Sequence, residues 1–162
     1  MNDIINNCPI TKKNSKLLKR WIADSKSVEY TQNGGYHTGV DIEASEVYSI
    51  CAGVCTYVGK SLEERNVVVI QYDHNTSFRY CNLDKIYIRK GQIINTDEYI
   101  GSAHKFVHFE VLNPENSTWC VRVGNRQYYK HDPIKYLTDS NISLRVDNYQ
   151  YNHISPDIQT EF

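Results

Sequence analysis

The sequence predicts a mostly β domain, arranged as an antiparallel sheet or sandwich, with a short N-terminal helix and a polar C-terminal tail. From Val47 onward, β-branched and aromatic residues come in short runs separated by turn residues, which is typical of strands. Hydrophobic residues make up 40% of the chain and charged residues 23%, which is the composition of a globular protein. Its 162 residues are enough for one domain with its own core and too few for two.

The helix is predicted over residues 12–26, a stretch that is otherwise polar and basic. Four apolar residues recur there at helical spacing: Leu17, Leu18, Trp21 and Ile22. The segment Asn33-Gly34-Gly35 then breaks the chain, so residues 1–33 are interpreted as an N-terminal extension and residues 34–137 as the domain.

The strands of the domain are predicted in eight segments: 46–50, 54–59, 67–72, 77–82, 87–88, 99–101, 107–112 and 119–123. Residues 73–76 read as a hairpin connection and residues 89–92 as a second turn. Ile134 to Leu137 is expected to close the domain. Residues 138–162 form a polar tail in which three apolar residues alternate, so it is expected to add an edge strand or to contact a neighbour.

Composition argues against several classes of protein. A formal net charge of -1 creates no field that would attract nucleic acid or an anionic membrane. No window approaches the roughly 18 apolar residues that a membrane span needs, and no ordinary export signal follows Met1. The five cysteines are odd in number and scattered, which favours reduced thiols over a disulfide framework.

Two short motifs suggest a metal site. In Tyr36-His37-Thr38-Gly39-Val40-Asp41-Ile42, a histidine and an aspartate are separated by three residues, and in Phe106-Val107-His108-Phe109-Glu110-Val111 a histidine lies within a β-rich run. Zinc accepts imidazole nitrogen and carboxylate oxygen, and a catalytic zinc has three protein ligands and one open position. His37, Asp41 and His108 would supply that set.

These motifs resemble the His-x-x-x-Asp signature and the end of the His-x-His signature of LytM/lysostaphin-type zinc metalloendopeptidases. The similarity extends in order from about Gly34 to Leu137 and includes Cys51 to Gly59, Arg79 to Ile86 and the glycine turns near Gly91 and Gly101. The resemblance implies the antiparallel fold called the duplicated hybrid motif, a zinc ion in a groove along one sheet, and cleavage of peptidoglycan peptides.

The sequence departs from that family at two positions where active members carry histidines beside the metal. Here these positions hold Asn82 and Phe106, and neither side chain can take a proton from water and pass it to a leaving amine. Two residues are candidates for a catalytic role: His104, if the chain bends, and Asn82, whose amide can stabilise an oxyanion. Glu110 shares the face of His108 in an extended strand and is given a structural role.

Three functions are therefore compared. The first is a peptidoglycan-directed zinc metalloendopeptidase, phage- or cell-wall-associated, with weak or lost hydrolysis. The second is a catalytically inactive zinc-binding relative that serves as a structural or wall-binding component of a tail or wall-remodelling assembly. The third is a scaffold that docks partners through residues 138–162. The expected partner is a peptidoglycan peptide, and the expected location is a virion, the products of lysis or otherwise the cytoplasm.

Overall fold

Paired β-strands make up most of the described chain. The computed structural model describes residues 3–21, 37–61, 65–115, 120–123 and 126–138. Within these ranges the elements are β1 (Asp3–Cys8), β2 (Lys13–Lys19), β3 (Val40–Glu43), β4 (Glu46–Tyr48), β5 (Gly53–Ser61), β6 (Arg65–Gln71), β7 (Ser77–Ile86), β8 (Ile93–Ile94), β9 (Tyr99–Asn113), β10 (Cys120–Val123), β11 (Arg126–His131) and the short helix α1 (Ile134–Thr138).

Strand β9 is the centre of the sheet. The main path of hydrogen-bonded neighbours runs β1-β2-β3-β9-β7-β6-β5-β8, while β4 and β11 also pair with β9, and β10 pairs with β11. Every pairing is antiparallel. The prediction of a mostly β, antiparallel fold is therefore confirmed. No helix in the described part of the chain has the length and apolar character needed to cross a membrane.

The strands around β9 have an apolar side and a polar side. Because successive side chains of a strand point to opposite faces, alternate residues of β3, β7 and β9 enter the hydrophobic core. These core residues are Val40, Ile42, Phe78, Tyr80, Val107, Phe109 and Val111. The residues between them on the opposite face include Asp41, Arg79, His108 and Glu110, all of which are buried. A group of buried polar side chains thus lies across the sheet from the core.

The prediction of an N-terminal helix over residues 12–26 is wrong for the part that the structure describes. Lys13–Lys19 form β2, which pairs with β1 on one side and with β3 on the other. Leu18, counted on the apolar face of the helix, is 51% exposed. Residues 22–26 lie outside the described residues. The two neighbouring strands supply the backbone hydrogen bonds that a helix would have made internally.

The predicted strands in the middle of the chain are present, but several of their boundaries differ from the prediction. Residues 99–101 and 107–112 belong to the single strand β9, and Tyr87 and Ile88 are not in a strand, since β7 ends at Ile86. Strands β1, β3, β8 and β11 were not predicted, and β2 was predicted as part of a helix. The hairpin connection at 73–76 joins β6 to β7 as expected, and residues 134–138 are helical. The alternation predicted in the tail falls outside the described residues.

Candidate metal centre

Strands β3 and β9 place Asp41 and His108 directly opposite one another. The register pairs Asp41 with His108, and residues paired in this way in an antiparallel sheet present their side chains to the same face. His37 lies three residues before β3, where the chain approaches the same face. The three side chains that the sequence proposed as ligands are thus brought together from positions up to 71 apart in numbering.

Oδ1 of Asp41 is the point where these side chains meet. It lies 2.7 Å from Nδ1 of His108 and 3.0 Å from Nε2 of His37. One potential ligand atom from each of the three residues lies within 4.8 Å of the others, which is compact enough for one metal ion. The two imidazole rings meet edge to face, with centroids 4.9 Å apart.

The other nitrogen of each imidazole ring faces an acceptor. Nδ1 of His37 lies 2.7 Å from the backbone oxygen of Arg20, and Nε2 of His108 lies 2.9 Å from Oε2 of Glu110. A backbone or carboxylate oxygen only accepts, so a proton on either of these nitrogens has an acceptor. When a neutral ring carries its proton there, the lone pair is on Nε2 of His37 or Nδ1 of His108, the atoms that face Oδ1 of Asp41.

This donor set fits a zinc ion. In that tautomer two nitrogen lone pairs and a carboxylate oxygen converge, and a cation satisfies all three. The ring protons held by outer partners are the usual arrangement for histidines that bind metal. The residues that would hold zinc are therefore His37, Asp41 and His108, the same three that the sequence indicates.

Asp41 is ionised in this site. Burial on its own raises the pKa of the carboxyl, but the contacts with His108 and then His37, together with the charges that these rings carry when protonated, lower the pKa to about 2. The side chain stays a carboxylate throughout the neutral range, which is the form that binds a cation.

Glu110 lies at the centre of a buried charge network behind His108. Its Oε1 accepts a hydrogen bond of 3.0 Å from Nη1 of Arg79, and its Oε2 lies 3.2 Å from Nζ of Lys130. The hydroxyl of Thr38 also donates to Oε2 at 3.4 Å. Burial raises the pKa of Glu110, but Lys130, Arg79 and His108 outweigh it and lower the pKa well below the ordinary value. Glu110 is thus a carboxylate that accepts from His108.

Gly39 allows the ligand loop to approach β9 closely. A Cβ at this position would lie 2.6 Å from the backbone oxygen of Phe109 and 2.8 Å from Cε1 of His108. Both distances are shorter than ordinary van der Waals contacts. The glycine in the first motif is thus required by the close packing of two ligand-bearing segments.

Asn82 lies at an irregularity in the pairing of β7 with β9. The register pairs Cys81 with His108 and Leu83 with Ala103, so that residues 104–107 lie opposite Asn82 alone. Asn82 has φ 65°, a left-handed conformation that asparagine tolerates well. Its side-chain Nδ2 donates to the backbone oxygen of Phe106 at 2.9 Å. The amide therefore holds the irregular segment of β9 in place.

The other candidate catalytic residue, His104, is exposed. Lys105, with φ 76°, breaks the alternation of β9 immediately after it, so the extended-strand argument does not place His104 beside His108. Phe106 is half-buried and pairs with Glu43. Among the described residues, the group that could hold a metal contains His37, Asp41 and His108 but not His104.

Four residues that support the candidate ligands directly or through Glu110 were not predicted from the sequence: Arg20, Thr38, Arg79 and Lys130. Arg20 contributes only a backbone oxygen, which no residue type reveals. Arg79 and Glu110 did leave a signal, because each is a charged residue within an apolar strand run, and such residues are buried only when paired. Their pairing across β7 and β9 could not be read without the register.

The chain is similar to a known protein family and to several solved structures. Residues 35–118 match the family model of Peptidase family M23. A solved structure of a zinc containing peptidase from Vibrio cholerae is similar at 26% identity with a TM-score of 0.54, over 69% of this chain and 37% of that chain. The catalytic domain of the antimicrobial peptidase lysostaphin from Staphylococcus simulans is similar at 22% identity with a TM-score of 0.51, over 64% of this chain and 80% of that chain.

A further likeness is to a structure of a SpoIIIAH and SpoIIQ complex, at 14% identity and TM-score 0.59, over 83% of this chain and 100% of that chain. At this identity the likeness concerns the fold alone. No curated protein sequence matches the chain.

Proposed function

The chain belongs to peptidase family M23, and from that premise we propose that it is a zinc-binding, peptidoglycan-directed domain with weak hydrolytic activity. One observation carries the proposal: one potential ligand atom each of His37, Asp41 and His108 lies within 4.8 Å of the others, and the outward-facing nitrogen of each ring contacts an oxygen of Arg20 or Glu110. When bound there, zinc supplies a Lewis acid that polarises a peptide carbonyl and activates water.

The choice of zinc and of peptidoglycan is supported by the relatives. The Vibrio cholerae structure is described as a zinc containing peptidase, and lysostaphin is described as an antimicrobial peptidase. The ligand set of two imidazoles and a carboxylate, on a sheet face opposite the core, agrees with that chemistry. We infer that the substrate is a peptide of the bacterial cell wall.

The weakness of hydrolysis is inferred from the side chains beside the three ligands. The amide N–H of Asn82 is used in its bond to the oxygen of Phe106, and a phenylalanine carries no proton to transfer. His104 is exposed and lies outside the ligand group. A positioned acid or base contributes about 10²- to 10⁴-fold in rate. A chain that lacks one is therefore expected to hydrolyse its substrate more slowly, by about the same factor, than a peptidase that has one.

The proposal is tested by metal analysis of the purified chain together with release of peptides from several peptidoglycan types. Zinc near one equivalent and slow release that disappears in Asp41→Ala are expected. Glu43→Gln is the matched control. It removes a carboxylate from the same strand, but the side chain of Glu43 is exposed. A chain that takes up no zinc, or release that is unchanged in Asp41→Ala, would contradict the proposal.

A second candidate is the catalytically inactive relative that binds zinc within a larger assembly, as a structural or wall-binding component. The bond of Asn82 to Phe106 favours it, since this bond gives Asn82 a structural use. The structural likeness to a chain of the SpoIIIAH and SpoIIQ complex is compatible with it. Partners bound through the tail of residues 138–162, and a location in a virion or among lysis products, remain part of this proposal.

The two candidates are separated by restoring the histidines. Asn82→His combined with Phe106→His is expected to raise peptide release if the site already binds the substrate productively. A parent chain with zinc but no release from any wall, together with a double variant that also releases nothing, would favour the inactive assembly component.

A further inference from the structure

We propose that Glu110 is a positioning residue for the metal site, and that Lys130 and Thr38 hold it in that role. This inference rests on the zinc site proposed above and adds to it the residues that set the orientation of the two histidines. Glu110 touches no substrate in this proposal, and it acts through His108.

The contact between Glu110 and His108 orients the ring so that Nε2 faces Glu110 and Nδ1 faces Asp41. With Nε2–H donated to Oε2 of Glu110 at 2.9 Å, the lone pair of His108 is on Nδ1, which lies 2.7 Å from Oδ1 of Asp41. The opposite tautomer would place a proton where the metal must bind. Glu110 therefore selects the form of His108 that can serve as a ligand.

The contacts of Lys130 extend this control to the other histidine. Nζ of Lys130 donates to Oε2 of Glu110 at 3.2 Å and to Oγ1 of Thr38 at 3.3 Å, while Thr38 donates to the same Oε2 at 3.4 Å. The three side chains form a closed ring of hydrogen bonds. Thr38 adjoins His37 in the chain, so the ring connects the segment carrying His37 to the strand carrying His108.

If Glu110 served only to balance a buried charge, the contacts around its Oε2 would have no explanation. Arg79 already pairs with Oε1 at 3.0 Å, and both side chains are fully buried. One cation is enough to compensate one buried carboxylate. The second oxygen is nevertheless surrounded by three donors, two of which lie on or next to the segments that carry the metal ligands. The arrangement is that of a support for the ligands.

Glu110→Gln tests the inference with little change in shape. Zinc affinity, measured by competition with a chelating indicator, is expected to fall about 10- to 100-fold, the usual effect of removing a partner of a metal-binding histidine. Glu43→Gln makes the same change of charge at an exposed position and is expected to leave the affinity within twofold of the parent. Nitrogen NMR of the imidazole rings is expected to show the Nε2–H form of His108 in the parent and a mixture of forms in Glu110→Gln.

A second pair of variants covers the case in which Glu110→Gln does not fold. Thr38→Val removes the hydroxyl and keeps the shape, whereas Thr38→Ser keeps the hydroxyl. Zinc affinity is expected to fall severalfold in Thr38→Val and to recover in Thr38→Ser. Equal affinities in Thr38→Val, Thr38→Ser and the parent would overturn the role given to the ring.

The result also separates this inference from the proposed function. A parent chain that binds no zinc would overturn the zinc site itself. A parent that binds zinc, beside a folded Glu110→Gln with the same affinity and the same His108 tautomer, would overturn the positioning role and leave the zinc site standing.

Discussion

Gly39 occupies a position between two ligand-bearing segments where a side chain does not fit. Gly39→Ala would put a methyl group 2.6 Å from the backbone oxygen of Phe109, which cannot move without disturbing β9. We expect a loss of about 1–3 kcal/mol in the free energy of unfolding, the usual range for overpacking, measured by urea denaturation. Zinc affinity is expected to fall as well, because Cε1 of His108 is also too close.

The matched control for that variant is Gly91→Ala. Gly91 has φ 88° and open space around it, so alanine there is strained by the backbone alone. Gly91→Ala is expected to lower stability but to leave zinc affinity unchanged. Equal zinc affinities in the two variants would show that the approach of the loop to β9 does not govern the metal site.

Cys55 is a thiol that the fold makes unreactive. Burial raises the pKa of Cys55 to about 12, and a hydrogen bond to the backbone of Tyr57 lowers it only in part. Since the thiolate is the reactive form, iodoacetamide at pH 8 is expected to leave Cys55 unmodified in the native protein and to modify it in guanidinium chloride. Peptide mass spectrometry measures both. Native modification at the denatured rate would be inconsistent with the buried position.

At the scale of single residues, the sequence could identify the candidate ligands but not the atoms that orient them. His37, Asp41 and His108 were recognisable because each is a specific residue type within a motif. The partner of His37 is a backbone oxygen 17 residues earlier, and the partners of Glu110 lie on other strands. Such contacts depend on strand register, which residue types do not encode locally.

At the scale of elements, the N-terminal hairpin formed by β1 and β2 shows how a local pattern can mislead. Leu17, Leu18 and Trp21 fit a helical spacing, but β2 is held by strands on both sides. One of those strands, β3, lies more than 20 residues further along the chain. Helical periodicity is a local signal, and tertiary pairing outweighed it here.

The same hairpin takes part in the metal site. Strand β2 pairs with β3 through Lys19 and Asp41, and the chain just after β2 supplies the oxygen of Arg20 that holds His37. Arg20 also forms an ion pair with Asp3 of β1. The hairpin lies outside the residues that match the family model, 35–118, yet it contacts two of the three ligands.

Leu17→Pro tests this dependence. Leu17 pairs with Asp3 on one side and with Ile42 on the other, so a proline disrupts pairing with at least one neighbour. Zinc affinity, measured by the same competition assay, is expected to fall severalfold because the oxygen of Arg20 is displaced.

Ile93→Pro is its control at the opposite end of the sheet. Ile93 is 54% exposed and belongs to the short edge strand β8. Proline is tolerated best on edge strands, so little change in zinc affinity is expected. A folded Leu17→Pro variant that binds zinc as tightly as Ile93→Pro would rule out a contribution of the hairpin to the site.

At the scale of the whole molecule, the metal site connects parts of the chain that are distant in sequence. Its ligands and their supports come from the end of β2, the loop before β3, and strands β3, β7, β9 and β11. The order of these segments in the sequence carries the family resemblance, which is why the fold class and the three candidate ligands could be predicted. An unfolded chain cannot assemble this set, so zinc is expected to bind the native state selectively.

Zinc is therefore expected to stabilise the fold in proportion to its affinity. At a free concentration of about 1,000 times Kd, selective binding adds about 4 kcal/mol to the free energy of unfolding. For a domain of this size each kcal/mol raises Tm by roughly 2–4 °C, so scanning calorimetry is expected to show a rise of about 8–16 °C over protein treated with a chelator. Asp41→Ala is expected to melt at the same temperature with and without zinc. An equal rise in that variant would mean that zinc stabilises the chain at another place, because Asp41 is the residue on which both histidines converge.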